Sequence, residues 1–166
     1  MTGRRLAAAT LLFALLGAGA GLFALLAASA GYGQSAALPT VAVLSIAAAP
    51  DINPGPDGVA APVSVRIYQL AATDGFQNAD FFQLYRDDAG LLGAALRGRE
   101  EIVMTPGQTL RMTEEMKPDA RYIGILVAFR AIDQARWRAM AAVAPNKTTA
   151  LQASVSKLSV VLSGSQ

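Results

Sequence analysis

Apolar and polar residues follow three patterns along this chain, and each pattern predicts a different structure. Near the start, Leu6–Ala28 is an apolar run without a charge, which is typical of a membrane-targeting segment. Much of the chain beyond position 40 alternates as half-buried strands do, and a stretch at about 76–97 has helical spacing instead. These patterns predict a mainly β protein: a two-sheet β-sandwich with a small helical insert, preceded by an N-terminal hydrophobic signal or anchor helix.

The strongest strand pattern is Tyr122–Phe129, which is apolar on both faces and is therefore predicted to be a central strand with both faces covered. Gly124 leaves room there for a bulky neighbour. After a turn, Trp137–Val143 alternates with one fully apolar face. The two segments are predicted to form the central β-hairpin, with Trp137 facing the core.

The remaining alternating segments predict a first strand, a second strand that begins at a proline, a hairpin around a Pro-Gly turn, and a final strand or pair of strands. In chain order these segments are Val41–Ile46, Pro62–Leu70, Glu100–Met104 with Thr109–Met112, and Thr148–Val155 with Leu158–Leu162.

The helical stretch is interrupted by the turn-forming residues Asp87–Gly90, so it predicts two short helices. Asn78 or Asp80 is the expected N-cap of the first helix, and Asp88 is the expected N-cap of the second, because these side chains can accept hydrogen bonds from the first helical N–H groups.

Pro50–Gly58 contains three prolines, two glycines and several Asx residues, and is predicted to be a loop of successive turns. Such a loop can be stiff and protruding, and a stiff loop loses little conformational freedom when it binds a partner. Two interpretations stay open at this point: a recognition element, or a plain connection between the first two strands.

The N-terminal segment, residues 1–30, is predicted to be a signal peptide or a signal anchor. Its length favours an anchor, whereas its glycines and the small residues Ala28-Ser29-Ala30 favour cleavage. Because Arg4 and Arg5 precede the apolar run, both alternatives place the rest of the chain across the membrane. Residues 31–40 are expected to be a tether, and residues 41–166 the β-sandwich domain with its helical insert at about 76–97.

Charge and composition exclude several classes of function. Of the 14 basic residues, Arg4 and Arg5 lie in the N-terminal segment, and the remaining 12 balance 12 acidic residues, so no basic surplus favours nucleic acid. The sequence has no Cys and no His, which removes disulfides, the usual metal ligands and the usual general base. We therefore expect no enzyme activity, no catalytic, cofactor-binding or metal-binding residues, no cofactor and no small-molecule substrate.

Carboxylates are the remaining candidates for catalytic groups. The neighbouring pairs Asp87-Asp88, Glu100-Glu101 and Glu114-Glu115 are expected to be solvated, because adjacent strand residues point to opposite faces. A hydrolase would need two acids that converge from different strands, and its only loose candidates are Glu100, Glu114 and Asp133.

A set of segments in the same order resembles the TssJ (SciN-type) lipoprotein family of the type VI secretion system. The resemblance runs from about Val41 to the C-terminus and depends on the combination rather than on any one piece. Its segments are Ile52-Asn53-Pro54, Gly58 with Ala61–Leu70, Phe76 with Ala79–Tyr85, Thr105-Pro106-Gly107, Arg121–Gly124, and Ala128-Phe129-Arg130 with Ala135–Arg138.

The resemblance implies a transthyretin-like sandwich in the periplasm at the outer membrane. It also implies binding to the periplasmic C-terminal domain of the inner-membrane protein TssM, as part of the core complex that anchors the secretion machine. In that family the loop between the first two strands makes the contact. The corresponding partner-binding residues here are Asp51, Ile52, Asn53, Pro54, Gly55, Pro56, Asp57 and Gly58. Asn53→Ala or Asp51→Arg is expected to weaken TssM association without changing the thermal midpoint.

The chain departs from the family at its N-terminal end. The family pattern requires a lipidated Cys after the signal sequence, and Ser29 stands at that position. We expect either that an uncleaved helix holds the protein at the inner membrane, or that the protein is released into the periplasm and held by its partner. The alternative function is a periplasmic ligand-binding β-sandwich protein unrelated to secretion.

Overall fold

The computed structural model describes residues 37–164. These residues form eight β-strands, which are β1 Val41–Ala48, β2 Val63–Leu70, β3 Leu96–Met104, β4 Thr109–Glu115, β5 Tyr122–Val127, β6 Arg138–Ala142, β7 Thr148–Ser156 and β8 Ser159–Gly164. Three short α-helices lie between β2 and β3: α1 Asp74–Asn78, α2 Phe81–Arg86 and α3 Asp88–Leu92. Short 3₁₀ helices follow at Gly93–Ala95 and Ile132–Gln134.

The strands form two four-stranded sheets, one with the order β4-β1-β7-β8 and the other with the order β3-β2-β5-β6. Neighbouring strands are antiparallel except β1 and β7, which are parallel. Apolar residues of both sheets pack into one core between them, including Leu44, Ile67, Ile125 and Leu151. The prediction of a mainly β, two-sheet sandwich with a small helical insert is confirmed, and so is the hairpin of β5 and β6.

The two sheets are connected differently at their two sides. On one side Arg136, just before β6, forms a parallel bridge with Ser159 of β8. The backbone of Arg136 donates to Leu158 and accepts from Val160, each at 2.9 Å. On the other side β3 and β4 are the outermost strands of their sheets. That side therefore presents two strand edges without a neighbouring strand among residues 37–164.

A second, smaller core lies on the outer face of the β3-β2-β5-β6 sheet. There Phe76 and Leu84 of the helical segment pack against Tyr68 and Leu126 of the sheet. Gly124 makes this close packing possible, because a Cβ atom at that position would lie 3.0 Å from the Phe76 ring. The space that the sequence indicated at Gly124 is thus filled by a phenylalanine from the helical segment.

The helical segment differs from the prediction in its boundaries and caps. Asp80 is the N-cap of α2, as expected, and accepts from the backbone N–H groups of Phe82 and Gln83. Asn78 is the last residue of α1 and not a cap. The cap of α3 is Asp87 rather than Asp88, and a third helix adds to the two expected. The segment also ends earlier than expected, since β3 begins at Leu96, opposite Leu70.

The neighbouring carboxylate pairs were all expected to be solvated, and this expectation is wrong for Asp88. It is buried, and its carboxylate accepts from Arg99 Nη1 at 2.7 and 2.9 Å and from the Tyr68 hydroxyl at 3.1 Å. The pKa of Tyr68 is raised, foremost by burial and also by the nearby Asp88 charge. The ion pair fixes the helical segment to the sheet, because Asp88 belongs to α3 and Arg99 to β3.

The predicted hydrophobic segment, residues 1–30, and most of the predicted tether, residues 31–40, lie outside the described residues. Among residues 37–164, no helix is long and apolar enough to cross a membrane.

Candidate partner-binding loop

The loop between β1 and β2 connects the two sheets across one end of the sandwich and contains the predicted site residues. It is irregular between Ala48 and Val63, as its prolines and glycines predicted. Ile52 lies in the core between the sheets and is completely buried. The loop is therefore attached to the domain by an apolar side chain near its start.

Asn53 is the main polar anchor of this loop. It is buried, with a φ of 47°, a left-handed conformation that Asn tolerates better than most residues. Its side-chain amide donates to the Pro62 carbonyl at 2.8 Å and its side-chain oxygen accepts from the Arg130 N–H at 2.8 Å. Its own N–H donates to the Lys157 carbonyl at 2.9 Å. One residue thus joins the start of the loop to its end just before β2, to the β5–β6 connection and to the β7–β8 turn.

The tip of the loop, Gly55–Val59, is closed by hydrogen bonds of its own. Gly55 N–H donates to the Val59 carbonyl and Gly58 N–H donates to the Gly55 carbonyl, both at 2.9 Å. The Asp57 carboxylate accepts from the Val59 N–H at 3.1 Å, and Gly58 has a φ of 77°, where glycine is favoured. The tip is therefore a series of tight, hydrogen-bonded turns rather than an extended segment.

The predicted site residues separate into exposed and buried groups. Asp51, Pro56, Asp57 and Gly58 are exposed, and Pro54 and Gly55 are partly exposed. Ile52 and Asn53 are buried, so they hold the loop in place and do not present their side chains to a partner. Because Asn53 is buried and hydrogen-bonded, the structure leads us to expect that Asn53→Ala also lowers the thermal midpoint.

Two features of this surface did not enter the predicted site. Val59 is 62% exposed. Arg130 is exposed, and its guanidinium lies beside Gly55, 3.1 Å from the place where a Cβ atom would stand. The sequence could have indicated Val59, as the one large apolar residue of the tip. It could not indicate Arg130, which reaches the loop only through the fold.

The surface at the loop tip combines opposite charges with an apolar side chain. Asp51 and Asp57 are the only charged residues of the loop itself, and Arg130 adds a positive charge next to Gly55. Such a mixture suits recognition of a protein surface. Charged groups direct the orientation of the two proteins, and an apolar side chain that becomes buried in the complex adds affinity.

Of the three residues considered for carboxylate chemistry, the structure brings Glu100 and Glu114 together and leaves Asp133 apart. Glu100 and Glu114 line one cavity between the sheet edges, whereas Asp133 lines a groove beside Phe82 and Trp137. Within residues 37–164 no three acidic, Cys or His side chains are arranged to hold a metal ion.

Trp137 does not form an open aromatic platform for a small ligand. It is partly buried, with its ring edge-on to Phe81 at 5.3 Å between centroids. The Arg138 guanidinium lies 4.6 Å from the Trp137 ring centroid and donates to the carbonyls of Phe76 and Ala79. Trp137 and Arg138 thus connect β6 to the helical segment.

Comparisons with known proteins agree on one family. The family model T6SS-SciN, described as type VI secretion lipoprotein (VasD, EvfM, TssJ), matches residues 40–158. The chain is 30% identical to the T6SS lipoprotein TssJ1 from Pseudomonas aeruginosa, whose crystal structure superposes with a TM-score of 0.74 over 77% of this chain and 98% of that one. A comparison with curated protein sequences gave no match.

Two further solved structures share the fold. Serratia marcescens Lip, a membrane-bound component of the type VI secretion system, is 24% identical, with a TM-score of 0.68 over 77% of this chain and 99% of that one. A chain from the structure of the T6SS protein TssM C-terminal domain from EAEC is 23% identical, with a TM-score of 0.63 over 75% of this chain and 98% of that one.

Proposed function

This chain belongs to the TssJ (SciN-type) family of type VI secretion lipoproteins, and from that premise we propose that it is a structural component of the secretion system's membrane core complex. In this proposal it binds the periplasmic C-terminal domain of TssM through the β1–β2 loop. Family membership sets aside the alternative of a ligand-binding protein unrelated to secretion. The proposed role is assembly rather than catalysis.

The observation that carries the proposal is the construction of the loop. Its base is fixed by buried Ile52 and Asn53, and its tip is closed by backbone hydrogen bonds. A loop that is ordered before binding loses little conformational entropy in the complex, so more of the contact energy appears as affinity. The contact residues that we propose are the exposed ones: Asp51, Pro54, Gly55, Pro56, Asp57 and Gly58, together with Val59.

The proposed location is the periplasm, at the membrane. The family resemblance implies a lipidated cysteine at the position of Ser29, and this sequence contains no cysteine. We therefore propose that the chain is held either by an uncleaved N-terminal segment or by its protein partner, in place of a lipid in the outer membrane.

The proposal is tested by measuring the affinity of the full chain, in detergent, for the purified TssM C-terminal domain. Asp51→Arg reverses a charge on the loop surface, and Val59→Asp replaces an apolar side chain by a charged one. We expect each variant to weaken binding at least about tenfold. Both side chains are exposed, so the thermal midpoint should not change.

The matched control is Leu38→Asp. Leu38 is 70% exposed and lies before β1, whereas the loop follows the other end of that strand. This variant should bind like the unmodified chain. If the two loop variants also bind normally while the control is intact, the loop is not the contact surface.

A further inference from the structure

Two carboxylates from different sheets face each other at the open side of the sandwich. Glu100 of β3 lies opposite Ile67, and Glu114 of β4 lies opposite Ala42. Ile67 and Ala42 both belong to the core between the sheets, and directly paired strand residues point to the same face. Glu100 and Glu114 therefore point inward from the two edge strands, into a cavity of about 220 Å³ that both side chains line.

The buried side chain of Gln69 crosses this gap. Its amide nitrogen lies 3.3 Å from a Glu114 carboxylate oxygen and 3.5 Å from the Glu115 carbonyl, and its oxygen accepts from the Lys117 N–H at 2.7 Å. Gln69 belongs to β2 of one sheet, and its partners lie in or just after β4 of the other. We call Gln69, Glu100, Glu114 and Lys117 the carboxylate seam.

The surroundings of Glu114 favour the protonated form of its carboxyl group. Burial, foremost, and then the negative charge and hydrogen bond of Glu100 raise the pKa of the Glu114 carboxyl above its ordinary value of 4.5, although Gln69 and Lys117 act in the opposite direction. Arg99 also lines the cavity, but its guanidinium is bound to Asp88. Strand β1, which pairs with β4, contains no titratable residue, and Arg66 and Tyr68 of β2 contact the helical segment on the outer face.

We propose that a protonated Glu114 is hydrogen-bonded to Glu100, and that the two side chains repel each other once Glu114 loses its proton, so that the carboxylate seam is a pH-sensitive closure between the two sheet edges. Two carboxylates at close range cannot both ionise without a cost, and protonation of one replaces that repulsion by a hydrogen bond. On the opposite side of the sandwich, the backbone bridge at Arg136 holds the two sheets together. Loss of the proton therefore loosens one side selectively.

The direction of the pH dependence follows from the raised pKa. A carboxyl group that binds its proton more tightly in the folded state stabilises the fold at pH values below its ordinary pKa. This contribution is lost as the pH rises through the raised pKa. The edge strands β3 and β4 should accordingly lose protection as the pH rises through the titration of Glu114.

The test combines carboxyl NMR titration with amide hydrogen exchange on the full chain in detergent. We expect Glu114 to titrate above 4.5. We also expect the protection factors of β3 and β4 to fall as Glu114 loses its proton. Glu100→Gln should move the Glu114 titration downward and flatten the pH dependence of protection. The control Glu115→Gln, on the exposed side of β4, should change neither quantity.

Two results would overturn the proposal. If Glu114 titrates at the same pH in Glu100→Gln as in the unmodified chain, burial alone sets its proton affinity and Glu100 does not hold its proton. If protection of β3 and β4 does not follow the Glu114 titration, the seam does not hold the edges together.

Discussion

At the scale of single residues, Asn53 anchors the β1–β2 loop to the rest of the domain. The sequence predicted a turn-rich loop here, but it did not predict that Asn53 is buried, because its partner Arg130 lies 77 positions away. In the same way Asp88 resembles a solvated helix cap until Arg99 and Tyr68 are brought to it by the sheet. Local patterns identify turn formers and caps, whereas buried polar contacts depend on distant strands.

Asn53→Ala should lower the free energy of unfolding by about 3 kcal/mol, because it leaves the Pro62 carbonyl and the Arg130 N–H without partners and places alanine at a positive φ. Urea unfolding of the full chain in detergent measures this change. Asp51→Ala, at the exposed neighbouring position, serves as the control and should stay within about 0.5 kcal/mol. Equal stability of the two variants would show that Asn53 does not anchor the loop.

At the scale of elements, the strands were predictable and the helical segment was less so. The alternation at Val63–Leu70 and the doubly apolar run at Tyr122–Val127 depend on local burial, which the sequence records directly. The three helices have only five or six residues each, so packing against the sheet, rather than local propensity, decides where they begin and end.

Gly124→Ala tests the contact between the helical segment and the sheet. The added methyl group would lie 3.0 Å from the Phe76 ring and 3.1 Å from Leu70, so we expect a loss of about 2 kcal/mol from overpacking. Gly98→Ala is the matched strand control, because its new Cβ would be 3.6 Å from the nearest atom, Gln69 Cδ. Thermal midpoints of the two variants measure the difference. A tolerated Gly124→Ala would mean that the helical segment can move away from the sheet at little cost.

At the scale of the whole molecule, the family and its fold agree with the sequence resemblance, while the attachment to the membrane is a separate question. Residues 1–30 predict a signal peptide or an anchor, and the family resemblance implies a lipidated cysteine at position 29, where this sequence has a serine. The intact mass of the protein purified from its own membranes distinguishes the two proposals. A mass corresponding to residues 31–166 indicates release and retention by a partner, whereas the mass of the full sequence indicates an anchor.

The central claim is that the β1–β2 loop contacts TssM, and site-specific photocrosslinking tests it most directly. A photoreactive residue placed at Pro56 or Val59 of the full chain should crosslink to the TssM C-terminal domain, whereas the same group at Leu38, beyond the other end of β1, should not. Crosslinks from Leu38 together with none from the loop would contradict the claim and place the interface elsewhere on the sandwich.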